Sequence, residues 1–141
     1  MKITSIHPID NTKGIALPIY LESVKAGFPS PADDFIDKKL DLNEFLVKHP
    51  VATFFVRVSG DSMLGAGIHS GDILVVDRAL DGHNDNIVVA VINGELTIKR
   101  LKMNKGRVIL MPENSNYKPI VITEEDTFSI WGVVTSVIHK L

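Results

Sequence analysis

The chain has no cysteine, which excludes disulfides, thiolate catalysis and cysteine-ligated zinc and suits a reducing, cytoplasmic setting. It has no long apolar run either. The longest, Ile87 to Ile92, falls far short of the roughly 20 residues that span a bilayer. The opening Met1-Lys2-Ile3-Thr4 meets His7, Pro8, Asp10 and Lys13 before any apolar stretch, so neither a secretory leader nor a membrane anchor is read. Positive charge is not in excess: 15 Lys+Arg stand against 17 Asp+Glu for a net charge of −2, which argues against broad electrostatic capture of nucleic acid or anionic membrane. Aromatic residues are 6%, and Trp131 and Tyr117 read as core or interface residues. The five histidines (His7, His49, His69, His83 and His139) lack the spacing of metal sites, and there is no Gly-rich phosphate loop. No metal and no cofactor is expected.

What is present is enough for one core: 141 residues, 45% hydrophobic and 23% charged. Residues 1–40 hold Pro8, Pro18, Pro29 and Pro31, four of the seven prolines. Each removes a backbone donor and pushes its predecessor toward extended geometry. This stretch reads as an extended N-terminal arm with a strand at Ile15–Leu21. A short helix follows at residues 41–46, with Asp41 as cap, Glu44 placed to reach back to it, and Leu42, Phe45 and Leu46 on one face. From there to residue 141 the pattern is β. Ala52–Ser59, Asp72–Asp77, Ile87–Asn93, Glu95–Leu101, Arg107–Met111, Lys118–Ile122 and Phe128–Ile138 are short apolar or alternating runs separated by turn residues. The fold class expected over 41–141 is therefore mainly β, compact and mostly antiparallel.

Two places carry chemistry. Asn93-Gly94 between two strand-like runs is a type I′ hairpin signal, because both central positions must take positive φ. A two-residue loop sets Ile92 against Glu95, Ala90 against Thr97 and Val88 against Lys99. Lys99 then stands among aliphatic groups, where an ammonium loses hydration and its pKa falls toward the working range of a base. Both faces of Ile87–Ile92 are apolar, so alternation leaves open whether Lys99 or Arg100 is the buried cation. The second place is Ser59-Gly60-Asp61-Ser62-Met63, where Gly60 breaks a strand and a helical turn begins. A serine there lies near free backbone N–H groups, with those of Ser62, Asp61 and Met63 as the oxyanion candidates. Gly-Asp-Ser is also an ordinary turn sequence, and a Ser62–His69–Asp triad has little support from the spacing. Asp72 and Asp77 flank a strand and read as turn and edge residues. In the arm, Ala26-Gly27 is a small-residue pair beside Phe28-Pro29, a peptide bond that a nucleophile can approach closely.

These segments taken together, with Gly71-Asp72-Ile73-Leu74-Val75-Val76-Asp77, Pro112-Glu113-Asn114-Ser115-Asn116-Tyr117 and Trp131-Gly132-Val133-Val134, closely resemble the UmuD-type SOS mutagenesis proteins. Those are the polymerase-associated branch of the LexA-like self-cleaving serine–lysine proteases. The likeness runs from about residue 15 to the C-terminus. It implies a LexA/signal-peptidase-like β-domain, Ser62 as nucleophile, Lys99 as general base, and self-cleavage between Ala26 and Gly27 to leave a chain beginning at Gly27. Some members carry Cys where this chain has Ala26, a change between small residues. The resemblance further implies a homodimer, stimulation by a RecA–single-stranded DNA filament, and partnership of the shortened form with a Y-family (UmuC-type) polymerase subunit and the replication clamp, with no sequence-specific DNA binding. A signal peptidase would need a membrane anchor. A LexA-type repressor would need a DNA-reading domain, for which the residues before the cut are too few. The rival from another class is a non-catalytic β-module acting only as a polymerase or clamp adaptor.

Overall fold

The computed structural model describes residues 1–9, 16–20 and 36–141, with side chains for 1–9 and 40–141. The strands are β1 (Lys2–Pro8), β2 (Ala16–Tyr20), β3 (Ile36–Asp41), β4 (Thr53–Ser59), β5 (Ile73–Asp77), β6 (Ile87–Ile92), β7 (Glu95–Asn104), β8 (Arg107–Met111), β9 (Ile120–Val121) and β10 (Phe128–Ile138); the helix α1 spans Leu42–Leu46. They divide into two units, one of Met1–Ile9 with His49–Leu141 and the other of Asp10–Lys48. Among the described residues, no helix is long and apolar enough to cross a membrane.

In the smaller unit β2 pairs antiparallel with β3, Leu17 opposite Leu40. The Asp41 carboxylate caps α1 by accepting the Asn43 N–H at 2.9 Å, the role its position predicts. The expected apolar face is not buried: Leu42 is 49% and Phe45 57% exposed. The pair Ala26-Gly27 lies outside the described residues.

The larger unit is one eight-stranded sheet in the order β1-β4-β5-β10-β6-β7-β8-β9, antiparallel at every pairing. The seven runs read from the sequence after residue 51 are all strands. β1 is the addition: a segment with His7 and Pro8 at its end pairs with β4 at the sheet edge, where a proline costs no ladder bond. β1 also lies against β7, so the sheet curls until its first strand meets β7.

The curl explains the continuous apolar run of β6, which is covered on both faces. Val89 belongs to one core cluster with Val56, Met63, Leu74, Val76 and Ile98. Val88 and Ala90 belong to another with Leu101, Leu110 and Val133. The central strand β10 carries Gly132 at a register shift opposite Val89. A Cβ there would sit 2.6 Å from Val76 Cγ1 and 3.3 Å from Arg78 Cγ, and Val76 is fully buried with no room to yield. Gly132→Ala is therefore expected to lower stability by about 1–3 kcal/mol, the usual cost of overpacking. A urea titration checks this as a lower midpoint at unchanged slope.

Candidate active site

The site starts from the β6–β7 hairpin. Asn93 and Gly94 take φ of 49° and 81°, and the register follows: Ile92 opposite Glu95, Ala90 opposite Thr97, Val88 opposite Lys99. Residues directly opposite share a face, so Lys99 shares one with the fully buried Val88 and Ala90. The ambiguity between neighbouring cations resolves in favour of Lys99, which is 6% exposed. Arg100 instead reaches Glu113 with its Nε and the Asp85 carbonyl with NH1.

The serine comes from the loop after β4. Gly60 takes a φ of 101°, a left-handed conformation that turns the chain out of the strand. Met63 and Ile68, both essentially fully buried in the core, pin the loop from beneath. A second segment clamps it from the side. The Glu113 N–H donates to the Ser62 carbonyl at 2.8 Å, and the Gly65 N–H donates to the Glu113 carbonyl at 2.8 Å. Asn114 Nδ2 donates to the Asp61 carbonyl at 2.9 Å, and the Tyr117 hydroxyl donates to Asp61 Oδ1. Ser62 is thus held by residues some fifty positions away. Pro112–Asn116 reads from the sequence as turn residues and Tyr117 as a core or interface aromatic; Tyr117 is 43% exposed and acts through its hydroxyl.

Ser62 and Lys99 meet. Lys99 Nζ lies 3.3 Å from Ser62 Oγ, and it also donates to Thr97 Oγ1 at 3.1 Å and the Ile98 carbonyl at 3.0 Å. Burial drives the Lys99 pKa below its ordinary value of 10.5. That amino group, brought in by β1, donates to Ser62 Oγ at 2.9 Å. Its own pKa is pulled down to about 6, by burial first and then by the like charge of Lys99. Two amines converge on one hydroxyl, and Ser62 is left 1% exposed. Among the described residues, the backbone N–H groups of Asp61, Ser62 and Met63 make no backbone–backbone hydrogen bond. No signal in the sequence pointed to Met1.

The histidines scattered in sequence find partners in space. His49 Nδ1 lies 2.6 Å from Asp77 Oδ2. His139 Nδ1 lies 2.5 Å from Asp72 Oδ1, and His69 Nδ1 3.7 Å from Asp72 Oδ2. Asp72 closes the turn from His69, in keeping with its reading as a turn residue, and both Asp72 and Asp77, at 3% and 4% exposed, are buried partners of histidines. His69 faces Asp72, not Ser62.

A hydroxyl and a desolvated amine within reach on a β scaffold have the chemical parts of a serine peptidase in which lysine stands where histidine is more familiar. The peptidase S24-like family model matches residues 18–135, and the chain belongs to that family as a UmuD-type member. It is 49% identical over 123 residues to protein SamA of Salmonella typhimurium (strain LT2), covering 87% of this chain and 85% of SamA. It is 44% identical over 137 residues to protein MucA of Escherichia coli, covering 96% and 92%, and 45% identical over 123 residues to protein ImpA of Shigella flexneri, covering 87% and 83%.

Proposed function

We propose that this chain is a self-cleaving serine–lysine peptidase of the SOS DNA-damage response, cutting its own Ala26–Gly27 bond. The observation that carries the reading is the 3.3 Å approach of a buried lysine amine to a buried serine hydroxyl. Lys99 in its neutral form takes the Ser62 proton as Oγ attacks the Ala26 carbonyl carbon. The tetrahedral oxyanion is held by backbone N–H groups from Asp61, Ser62 and Met63. Collapse breaks the C–N bond, the Lys99 ammonium returns the proton to the departing Gly27 amine, and residues 1–26 remain esterified to Ser62. A water molecule, deprotonated by Lys99, then hydrolyses the ester and restores both side chains.

In the arrangement seen, Met1 covers Ser62, so the segment to be cut enters only after Met1 leaves the hydroxyl. Tethering supplies a high effective concentration of substrate; geometry and lysine deprotonation set the pace. Stimulation by a RecA–single-stranded DNA filament belongs to this reading as a bias toward the docked state. So do a homodimer, a cytoplasmic location, and assembly of the shortened form with a Y-family polymerase subunit and the replication clamp.

The test is incubation of the purified chain at alkaline pH followed by intact-mass and N-terminal analysis. The expected result is slow conversion to a chain beginning at Gly27. A chain that stays whole, or is cut elsewhere, rejects the assignment and favours the adaptor reading.

A further inference from the structure

We propose that His69, Asp72 and His139 form a binding site for a borderline divalent transition-metal ion, of the Zn2+, Ni2+ or Cu2+ kind, separate from the Ser62–Lys99 pair. The sheet register creates the site. β10 pairs with β5 so that Ile138 stands opposite Ile73, and one step further places His139 beside Asp72. His69 reaches the same carboxylate from within its own turn, where the Asp72 N–H donates to the His69 carbonyl at 3.1 Å and the His69 N–H donates to Asp72 Oδ2 at 2.7 Å.

The ligand atoms of all three residues lie within 4.8 Å of one another. His139 Nδ1 lies 2.5 Å from Asp72 Oδ1 and His69 Nδ1 3.7 Å from Asp72 Oδ2, separations on either side of the roughly 3.4 Å between ligand atoms of a tetrahedral ion with bonds of about 2.1 Å. Small ring movements therefore suffice to admit an ion. The two imidazole rings stand beside one another, with centroids 4.7 Å apart. Asp72 is 3% exposed and supplies a carboxylate that both histidines already approach. The histidine side chains are 50% and 43% exposed, which gives an ion a way in and leaves water to fill its remaining positions.

Two imidazole nitrogens and one carboxylate oxygen suit Zn2+, Ni2+ and Cu2+; Mg2+ and Ca2+ prefer all-oxygen sites. Occupancy would join two points 67 residues apart, the end of the last strand and the loop that also carries Ser62.

Calorimetry with untagged full-length chain and Zn2+ tests this. One ion per chain is expected, with affinity lowered roughly 10–100-fold or more in His139→Ala and in Asp72→Asn and unchanged in His83→Ala. Zn2+ should raise the Tm of the parent and not that of His139→Ala. Should Asp72→Asn fail to fold, His139→Ala still decides, since its side chain lies half exposed beyond the last strand. The Cu2+ complex should show two imidazole nitrogens by electron paramagnetic resonance in the parent and one in either histidine variant. Absence of saturable binding, equal affinity in His139→Ala, or fewer than two coordinated imidazoles in the parent overturns the proposal.

Discussion

Lys99→Ala is expected to slow self-cleavage by a factor of about 10²–10⁴, the usual contribution of a positioned general base, and Ser62→Ala to stop it. Both variants should keep the sheet, because neither side chain joins strands to one another. Lys99→Met makes the case sharper, since it replaces a costly buried amine with an apolar group of similar length. Activity and stability should then move in opposite directions. The folded-state pKa of Lys99 lies below the ordinary 10.5. Between the two values the unfolded chain binds more protons than the folded one, so parental stability rises with pH through that window and flattens above 10.5. Lys99→Met lacks this slope and gains most at the acidic end. Urea midpoints across pH read it directly. The parental cleavage rate should likewise rise with the loss of one proton as pH approaches the lowered Lys99 value. A flat profile would remove the neutral amine from the mechanism.

Gly65→Ala should have the next largest effect, although residue 65 touches no reacting atom. A Cβ there would stand 2.8 Å from the Glu113 carbonyl oxygen, the atom that accepts the Gly65 N–H. Both sides of the collision are backbone, so no rotamer relieves it. The clamp must open, and with it goes the Glu113 N–H that holds the Ser62 carbonyl. A displacement of about 1 Å at the nucleophile is worth roughly 10²-fold in rate. The strained or lost hydrogen bonds should cost about 1–3 kcal/mol of stability. Arg100→Ala removes the side-chain partner of Glu113 and spares the backbone clamp, so it should slow cleavage less than Gly65→Ala or Lys99→Ala. Single-turnover rates, together with urea midpoints for the three variants, test that order.

The parts of this molecule that local chemistry dictates were legible from sequence. Asn93-Gly94 fixed a hairpin and, by counting outward, set Lys99 opposite Val88; Gly60 marked where β4 ends; Asp41 announced a helix cap. What stayed hidden depends on residues distant in the chain. Arg100 turns away because Glu113, at the end of β8, is there to receive it. Asp72 and Asp77 are buried partners of His139, just past the end of β10, and of His49, a few residues before β4, and their positions beside turns gave no hint of that. β1 reads as arm because a seven-residue segment with prolines following it carries no local sign of β4, the partner it finds about fifty residues further on.

The tightness of the hairpin turn carries one more consequence. Facing alternates strictly along a strand, so one residue inserted between Ile92 and Glu95 and absorbed as a register slip would rotate Lys99 outward and offer Arg100 to the serine. A guanidinium keeps its proton at any pH a cell experiences and could accept nothing from a hydroxyl. Two inserted residues would restore the alignment. Length changes compatible with an active protein should therefore obey parity, a rule on insertions and deletions that operates at several residues' distance from the reacting groups.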